Sequence, residues 1–148
     1  MQINDLVPDF TLLDQDGTPR TLSTMLRDGP VVLFFYPAAM SPGCTKESCH
    51  FRDLKAEFDA LGAQPVGISM DSSTRQAEFA QKNSFDYPLL ADVDGVVAHQ
   101  FGVKRSLSFL KVKRASFVIG EDQRIRDIIT SEVSMNAHAD RALAALRA

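Results

Sequence analysis

The feature that most constrains the fold is a run of six apolar residues, "VVLFFY" (Val31 to Tyr36), with a helix signal starting five residues later at Ser41. A run this short and uniformly apolar suits a strand covered on both faces, the usual state of strands in a mixed sheet. In "SPGCTKESCHFRDLKAEFDALG", Ser41 fits an N-cap and Pro42 the first helical position. Phe51, Leu54, Phe58 and Leu61 recur at helical spacing, which predicts a single helix with one inward stripe. Gly62 predicts a left-handed end to it.

The strand-then-helix pattern recurs. "PVGISM" (Pro65 to Met70) reads as a second buried strand. Ser73 with Gln76 reads as a capping box opening a helix to about Asn83. "YPLLAD" and "DGVVAHQFGV" follow as strand and short helix. "ASFVIG" and "RIRDIIT" read as a hairpin turning at "EDQ". A last helix from near Asn136 faces Ala139, Leu143 and Leu146 inward. Before all of these, Phe10 to Leu13 and Pro19 to Leu22 flank "DQDG" as an N-terminal β-hairpin. Alternation of this kind predicts α/β layers. The order fits a thioredoxin-like fold, a central mixed sheet flanked by helices.

No repeat, linker or low-complexity stretch divides the chain, so a single domain over 1–148 is expected. At 148 residues such a domain buries about 70% of its unfolded surface and needs neither disulfide nor metal to hold a core. The net charge of −3 argues against nucleic acid as a partner, and no polybasic helix suggests a membrane surface. "MQINDLVPDF" carries early acids and lacks the apolar stretch of a signal peptide. The longest apolar run, Val31 to Met40, is too short to span a bilayer. A cytoplasmic location is therefore expected. Thiols stay reduced there, so a close cysteine pair points to catalysis, redox sensing or metal binding before a staple. "DQDG" and "DVDG" resemble the start of a calcium loop but lack its Glu at the twelfth position, and read as turns.

The chain has two cysteines, Cys44 and Cys49. Cys44 is the third residue of the proposed helix, where free N–H groups and the helix dipole favour negative charge. Such a setting favours thiolate. On a helical wheel Cys44 falls about 60° from the apolar stripe and Cys49 about 160° from it, so Cys49 is expected to face solvent. Five residues of ideal helix separate the two Cα atoms by roughly 8.7 Å, beyond the ~7 Å limit for a disulfide. Bonding would require the first turns to unwind. C-x4-C with His50 supplies the wrong faces and too few ligands for a metal. His50, His99 and His138 are scattered and read as surface or core.

The stretch resembles the peroxiredoxins, whose signature P-x-x-x-(T/S)-x-x-C stands here as Pro37, Ser41 and Cys44. "PGCTKESCHFRD" is similar to the PrxQ or bacterioferritin-comigratory-protein subfamily, and "PDFTLLDQDG", "PVGISMDS", "YPLLADVDGVVAHQFGV" and "RASFVI" extend the likeness over the whole chain. The resemblance implies a thiol peroxidase for hydrogen peroxide and organic hydroperoxides, with no cofactor and no metal. It implies Cys44 as the attacking thiolate, Ser41 as a hydrogen-bond partner of the peroxide and Pro37 as a shield from water. Arg114 would lie beside the thiolate, Glu47 would orient Arg114, and Cys49 would resolve the sulfenic acid as an intrachain disulfide. Thioredoxin or a similar thiol is the implied reductant, and a monomer the implied state, with a dimer as the alternative. Ser41 stands where Thr is commoner, which removes a methyl that restricts the hydroxyl.

Simple chemistry agrees on where catalysis must come from. A free thiol is about 3% thiolate at pH 7. Full ionisation therefore gains some thirty-fold, against about a million-fold or more for enzymes. The larger share must come from donors aimed at the peroxide oxygens. Read without the motif, Arg114 is one of a solvated basic cluster with Lys104, Arg105, Lys111 and Lys113, and Glu47 is ordinary first-turn dipole chemistry. Leu107, Phe109 and Leu110 either rim an alkyl-hydroperoxide pocket or pack on the sheet. Three rivals remain. A disulfide reductase would use C-x-x-C, a one-cysteine peroxidase would not need Cys49, and a redox sensor or chaperone module would oxidise without turnover.

Overall fold

The computed structural model describes residues 1–105 and 111–148. Leu107, Phe109 and Leu110 lie outside the described residues. Among the described residues, seven strands form one mixed sheet: β1 (Thr11–Leu13), β2 (Pro19–Thr21), β3 (Val31–Phe35), β4 (Gln64–Ser69), β5 (Leu89–Ala91), β6 (Ala115–Ile119) and β7 (Ile125–Thr130). Their order across the sheet is β2-β1-β5-β4-β3-β6-β7. β3 pairs in parallel with β4, and β4 with β5. β6 and β7 add antiparallel strands on the other side of β3. The N-terminal hairpin joins the sheet through the antiparallel pairing of Leu13 with Ala91. This is the thioredoxin-like arrangement that the order of apolar runs predicts.

β3 lies inside the sheet, between β4 and β6, with both of its faces covered. Val31, Leu33 and Phe35 enter one core, and Val32, Phe34 and Tyr36 enter the other. The first core lies under α1 (Leu22–Met25) and α5 (Val96–Gln100). The second lies under α2 (Pro42–Asp53), α3 (Lys55–Ala60), α4 (Ser73–Asn83) and α6 (Met135–Arg147). Both parallel crossovers step the same way along the sheet, so their helices share one face, as a constant crossover hand requires.

Three local features differ from the sequence expectations. The helix after β3 is not continuous to Leu61. It breaks at Leu54 (φ −97°, ψ 9°), and α3 resumes at Lys55. No glycine or proline marks this break. It falls between Phe51 and Phe58, both fully buried, with ring centroids 5.7 Å apart. Packing of these rings, not local propensity, accounts for it. Beyond it, Gly62 adopts the expected left-handed backbone at φ 69°.

The capping box at Ser73 is also displaced. Ser72 is the N-cap of α4 and accepts from Arg75 N–H at 3.2 Å, while the Ser73 hydroxyl donates to the Asp14 carbonyl. Gln76 thereby moves one position inward and becomes a buried polar node. Its amide donates to Ser69 Oγ and to the Leu90 carbonyl, both at 2.9 Å, and its carbonyl accepts from Tyr36 hydroxyl at 2.5 Å. The third difference is α1, with a 3-10 turn over Leu26–Asp28, which no reading of the hairpin anticipated. Leu22, Met25 and Leu26 are buried at helical spacing, so the signal was present but short.

The calcium-like loops are turns. Asp14 accepts from the N–H groups of Asp16 and Thr18 and from Arg20 Nε. Asp92 accepts from the N–H groups of Val97 and Ala98 at the start of α5. Both carboxylates are committed to donors within the protein.

Candidate active site

The loop Pro37–Ser41 carries the chain from β3 into α2. Asp71, just past β4, fixes this loop: its carboxylate accepts from Ala39 N–H at 2.8 Å and from Ser69 Oγ at 2.7 Å. Met40 sits in the left-handed region at φ 66°, a conformation that costs a non-glycine residue of order 1 kcal/mol and clusters at functional loops. Pro37 is buried. Ser41 holds the N-cap position with extended backbone, yet its side chain does not cap. Its hydroxyl donates to the Ala38 carbonyl at 2.9 Å, which leaves its oxygen lone pairs for a donor arriving from outside.

Cys44 is the third residue of α2 and is fully buried. Glu47 follows one turn later on the same face and is also fully buried. Arg114, immediately before β6, reaches both. Its Nη2 donates to Cys44 Sγ at 3.3 Å and its Nη1 to Glu47 Oε1 at 2.8 Å. The register of β6 on β3, with Ala115 opposite Phe35, sets this placement. Gly43 leaves room for the guanidinium: a Cβ there would lie 3.3 Å from Arg114 Nη2 and 3.5 Å from Met135 Sδ. Glu132 secures the other side of the arginine by accepting from Arg114 N–H at 3.2 Å and from Arg105 Nη2 at 2.8 Å.

Charge in this cluster is unevenly supplied. Burial pushes the Glu47 carboxyl up to about 8, against the pull of the Arg114 guanidinium. Burial works against the Arg114 charge as well, but the neighbouring Glu47 and Cys44 more than offset it. One buried cation thus faces two groups that can each become an anion.

Cys49 is not brought to Cys44. The two cysteines are free thiols on different sides of α2. The expectation that Cys49 faces solvent is corrected. It is half-buried against the second core, with Sγ 3.8 Å from Asn83 Oδ1. The end of α4 covers this side of α2, and Arg52 Nη1 donates to the Asn83 carbonyl at 2.7 Å. A wheel drawn on α2 alone contains no knowledge of that neighbour.

Sequence reasoning passed over His138 and Ser116. His138 is fully buried in α6. Its Nε2 lies 2.9 Å from the Ser131 carbonyl, and its Nδ1 lies 2.8 Å from Ser116 Oγ and 3.5 Å from Glu47 Oε2. The signal was its spacing: 138, 139, 142 and 143 form the inward stripe of α6. His50 pairs with Asp140 at 2.7 Å, and His99 is exposed.

Residues 3–128 match the AhpC/TSA family. Peroxidoxin BcpB of Mycobacterium tuberculosis, a solved structure, is 61% identical and superposes with a TM-score of 0.96, covering 99% of this chain and 97% of that one. Peroxiredoxin Bcp of Escherichia coli is 36% identical over 143 residues, 93% of this chain and 91% of that protein. The chloroplastic peroxiredoxin Q of Sedum lineare is 37% identical over 140 residues, 95% of this chain and 75% of that protein. A thioredoxin-like sheet with a helix-start cysteine under an arginine defines a thiol peroxidase, and this chain belongs to the AhpC/TSA family of peroxiredoxins. Within it, the relatives and the "PGCTKESC" stretch make it a member of the PrxQ or Bcp group. Among the described residues, no helix is long and apolar enough to cross a membrane.

Proposed function

We propose that Cys44 is the peroxide-attacking residue and Cys49 the resolving residue of a two-cysteine cycle. The observation that carries this reading is the 3.3 Å contact of Arg114 Nη2 with Cys44 Sγ at the start of α2. A guanidinium hydrogen bond and a helix N-terminus both favour the sulfur anion. The Cys44 thiolate attacks one oxygen of ROOH, the O–O bond breaks, and a sulfenic acid forms while the departing RO⁻ takes a proton to leave as ROH. Arg114 and the free N–H groups of α2 are the donors available to the developing charge. Ser41 accepts the peroxide O–H through its free lone pairs, Pro37 excludes water, and Glu47 orients Arg114.

Cys49 thiolate then attacks the Cys44 sulfur, and the sulfenic hydroxyl takes up the proton that Cys49 released and departs as water, which leaves an intrachain disulfide. The first turns of α2 unwind for this step. An external dithiol, thioredoxin or a similar donor, reduces the disulfide by exchange. Hydrogen peroxide and organic hydroperoxides are the proposed substrates. The chain is read as a single domain over 1–148, working in the cytoplasm as a monomer, with a dimer as the alternative.

Intact mass and free-thiol count, taken under non-reducing conditions seconds after one equivalent of hydrogen peroxide, test the cycle. The expected result is loss of both thiols and of two hydrogens. Cys49→Ser is expected to hold the added oxygen as a sulfenic acid. Two unreacted thiols after minutes would overturn the reading.

A further inference from the structure

Beneath Arg114 lies a contact that ordinary hydrogen bonding does not explain. Glu47 Oε2 is buried and has no hydrogen-bond partner among the described residues, although Oε1 is bonded to Arg114. The atom it faces, at 3.5 Å, is His138 Nδ1. The Ser131 carbonyl can only accept, so the ring nitrogen 2.9 Å from it, Nε2, carries a hydrogen. In a neutral ring Nδ1 is then a bare lone pair, which accepts from Ser116 Oγ at 2.8 Å. An ionised Glu47 would therefore press a carboxylate lone pair towards a nitrogen lone pair in a dry site, where both residues are fully buried. One proton between the two atoms removes the conflict. It rests on Oε2, or on Nδ1 of a charged ring.

We infer that His138 is a positioning residue of the peroxidase site: it shares a single proton with Glu47 Oε2, so that the Arg114 charge is left to Cys44. Without that proton, Arg114 serves a full carboxylate and the Cys44 thiolate at once, two anions on one cation. With it, the Glu47–His138 pair is neutral overall, and the thiolate is the anion that Arg114 neutralises. Burial raises the Glu47 carboxyl to about 8 and holds the His138 ring below its usual value, so the shared proton sits on Glu47. The titratable groups acting on this pair are Arg114 ahead of β6, Glu132 ahead of α6, Arg141 on α6 and the buried Tyr87 ahead of β5. This inference rests on the proposed role of Cys44, but its first test does not.

That test is made on the resting, reduced protein with no peroxide present. Side-chain carbon resonances of labelled Glu, with Glu47 assigned by its loss in Glu47→Gln, and ring-nitrogen resonances of His138 report the proton directly. The expected result at pH 7 is a protonated Glu47 beside a neutral His138; an ionised Glu47 beside a doubly protonated ring is the same shared proton. An ionised Glu47 beside a neutral His138 would overturn the inference, whatever the peroxidase assay gives. A second test uses His138→Asn in a Cys49→Ser background. The amide can donate to Oε2 and so lets Glu47 ionise, which should slow iodoacetamide alkylation of Cys44 several-fold near pH 6 to 7. An alkylation–pH profile identical to that of the Cys49→Ser parent would overturn the inference.

Discussion

The Tyr87 hydroxyl donates to the Ser48 carbonyl at 2.7 Å, tying the middle of α2 to the segment ahead of β5. Ser48 lies between the two cysteines, so this bond resists the unwinding that a Cys44–Cys49 disulfide demands. Tyr87→Phe removes the bond and keeps the ring in its stack with Phe85. A buried hydrogen bond contributes about 1 kcal/mol. If that energy acts on α2 opening, disulfide formation after oxidation should accelerate by about five-fold, with a small loss of global stability. Rapid-quench mass spectrometry measures the first effect and denaturant unfolding the second. An unchanged rate would mean that Tyr87 does not restrain the opening.

Arg114 serves two partners through separate nitrogens. Lys has one ammonium and cannot reproduce that fork. Arg114→Lys should lower kcat/KM for hydrogen peroxide on the order of 10²-fold, the usual loss when a donor aimed at developing charge is removed. Arg114→Met should lower it at least as far. Steady-state assays with a thiol-regenerating system would show this, and near-parental kcat/KM in Arg114→Met would remove Arg114 from the chemistry.

Glu47 sets a pH dependence of stability. Its carboxyl is raised from 4.5 to about 8 in the folded protein. Between those values the folded state holds a proton that the unfolded chain has released, so this contribution is full below pH 4.5 and lost as pH rises through about 8. His138 is lowered by burial and contributes the opposite slope below about 6.5. The Glu47 slope therefore stands alone between about pH 6.5 and 8, on the order of 1 kcal/mol per unit. Guanidinium unfolding should show parental stability falling relative to Glu47→Gln across that window. A constant difference would mean that Glu47 is already ionised at pH 6.5.

Gly43 is a spacing residue. Its absent Cβ keeps 3.3 Å clear for Arg114 Nη2. Gly43→Ala should shift the guanidinium off Cys44 and lower the second-order rate of Cys44 with peroxide about ten-fold. The change in unfolding free energy should stay under about 1 kcal/mol, because alanine's helix preference offsets the crowding. Stopped-flow oxidation and denaturant unfolding read the two effects separately.

The sheet was legible because β3 is apolar at every position, and its neighbours alternate with helices of clear period. The relation of Cys44 to Arg114 was legible only through a motif, since 70 residues separate them and no periodicity links them. What escaped depended on neighbours in space. Cys49 looked exposed because nothing in α2 records the end of α4. Gln76 looked like a capping residue because Ser73 and Gln76 fit S-x-x-Q, but Ser72 takes the cap and three buried partners hold Gln76 one position inward. His138 looked like a stray histidine because its approach to Glu47 Oε2 joins helices far apart in the sequence.

The break at Leu54 separates two duties along one stretch of chain. Cys44, Glu47, Ser48 and Cys49 all precede it, while Phe58, fixed in the core, follows it. Loss of helix at the start of α2 has no continuous rod through which to pull on α3. Opening of the first turns of α2 can therefore proceed while Phe58 and the core around α3 stay packed.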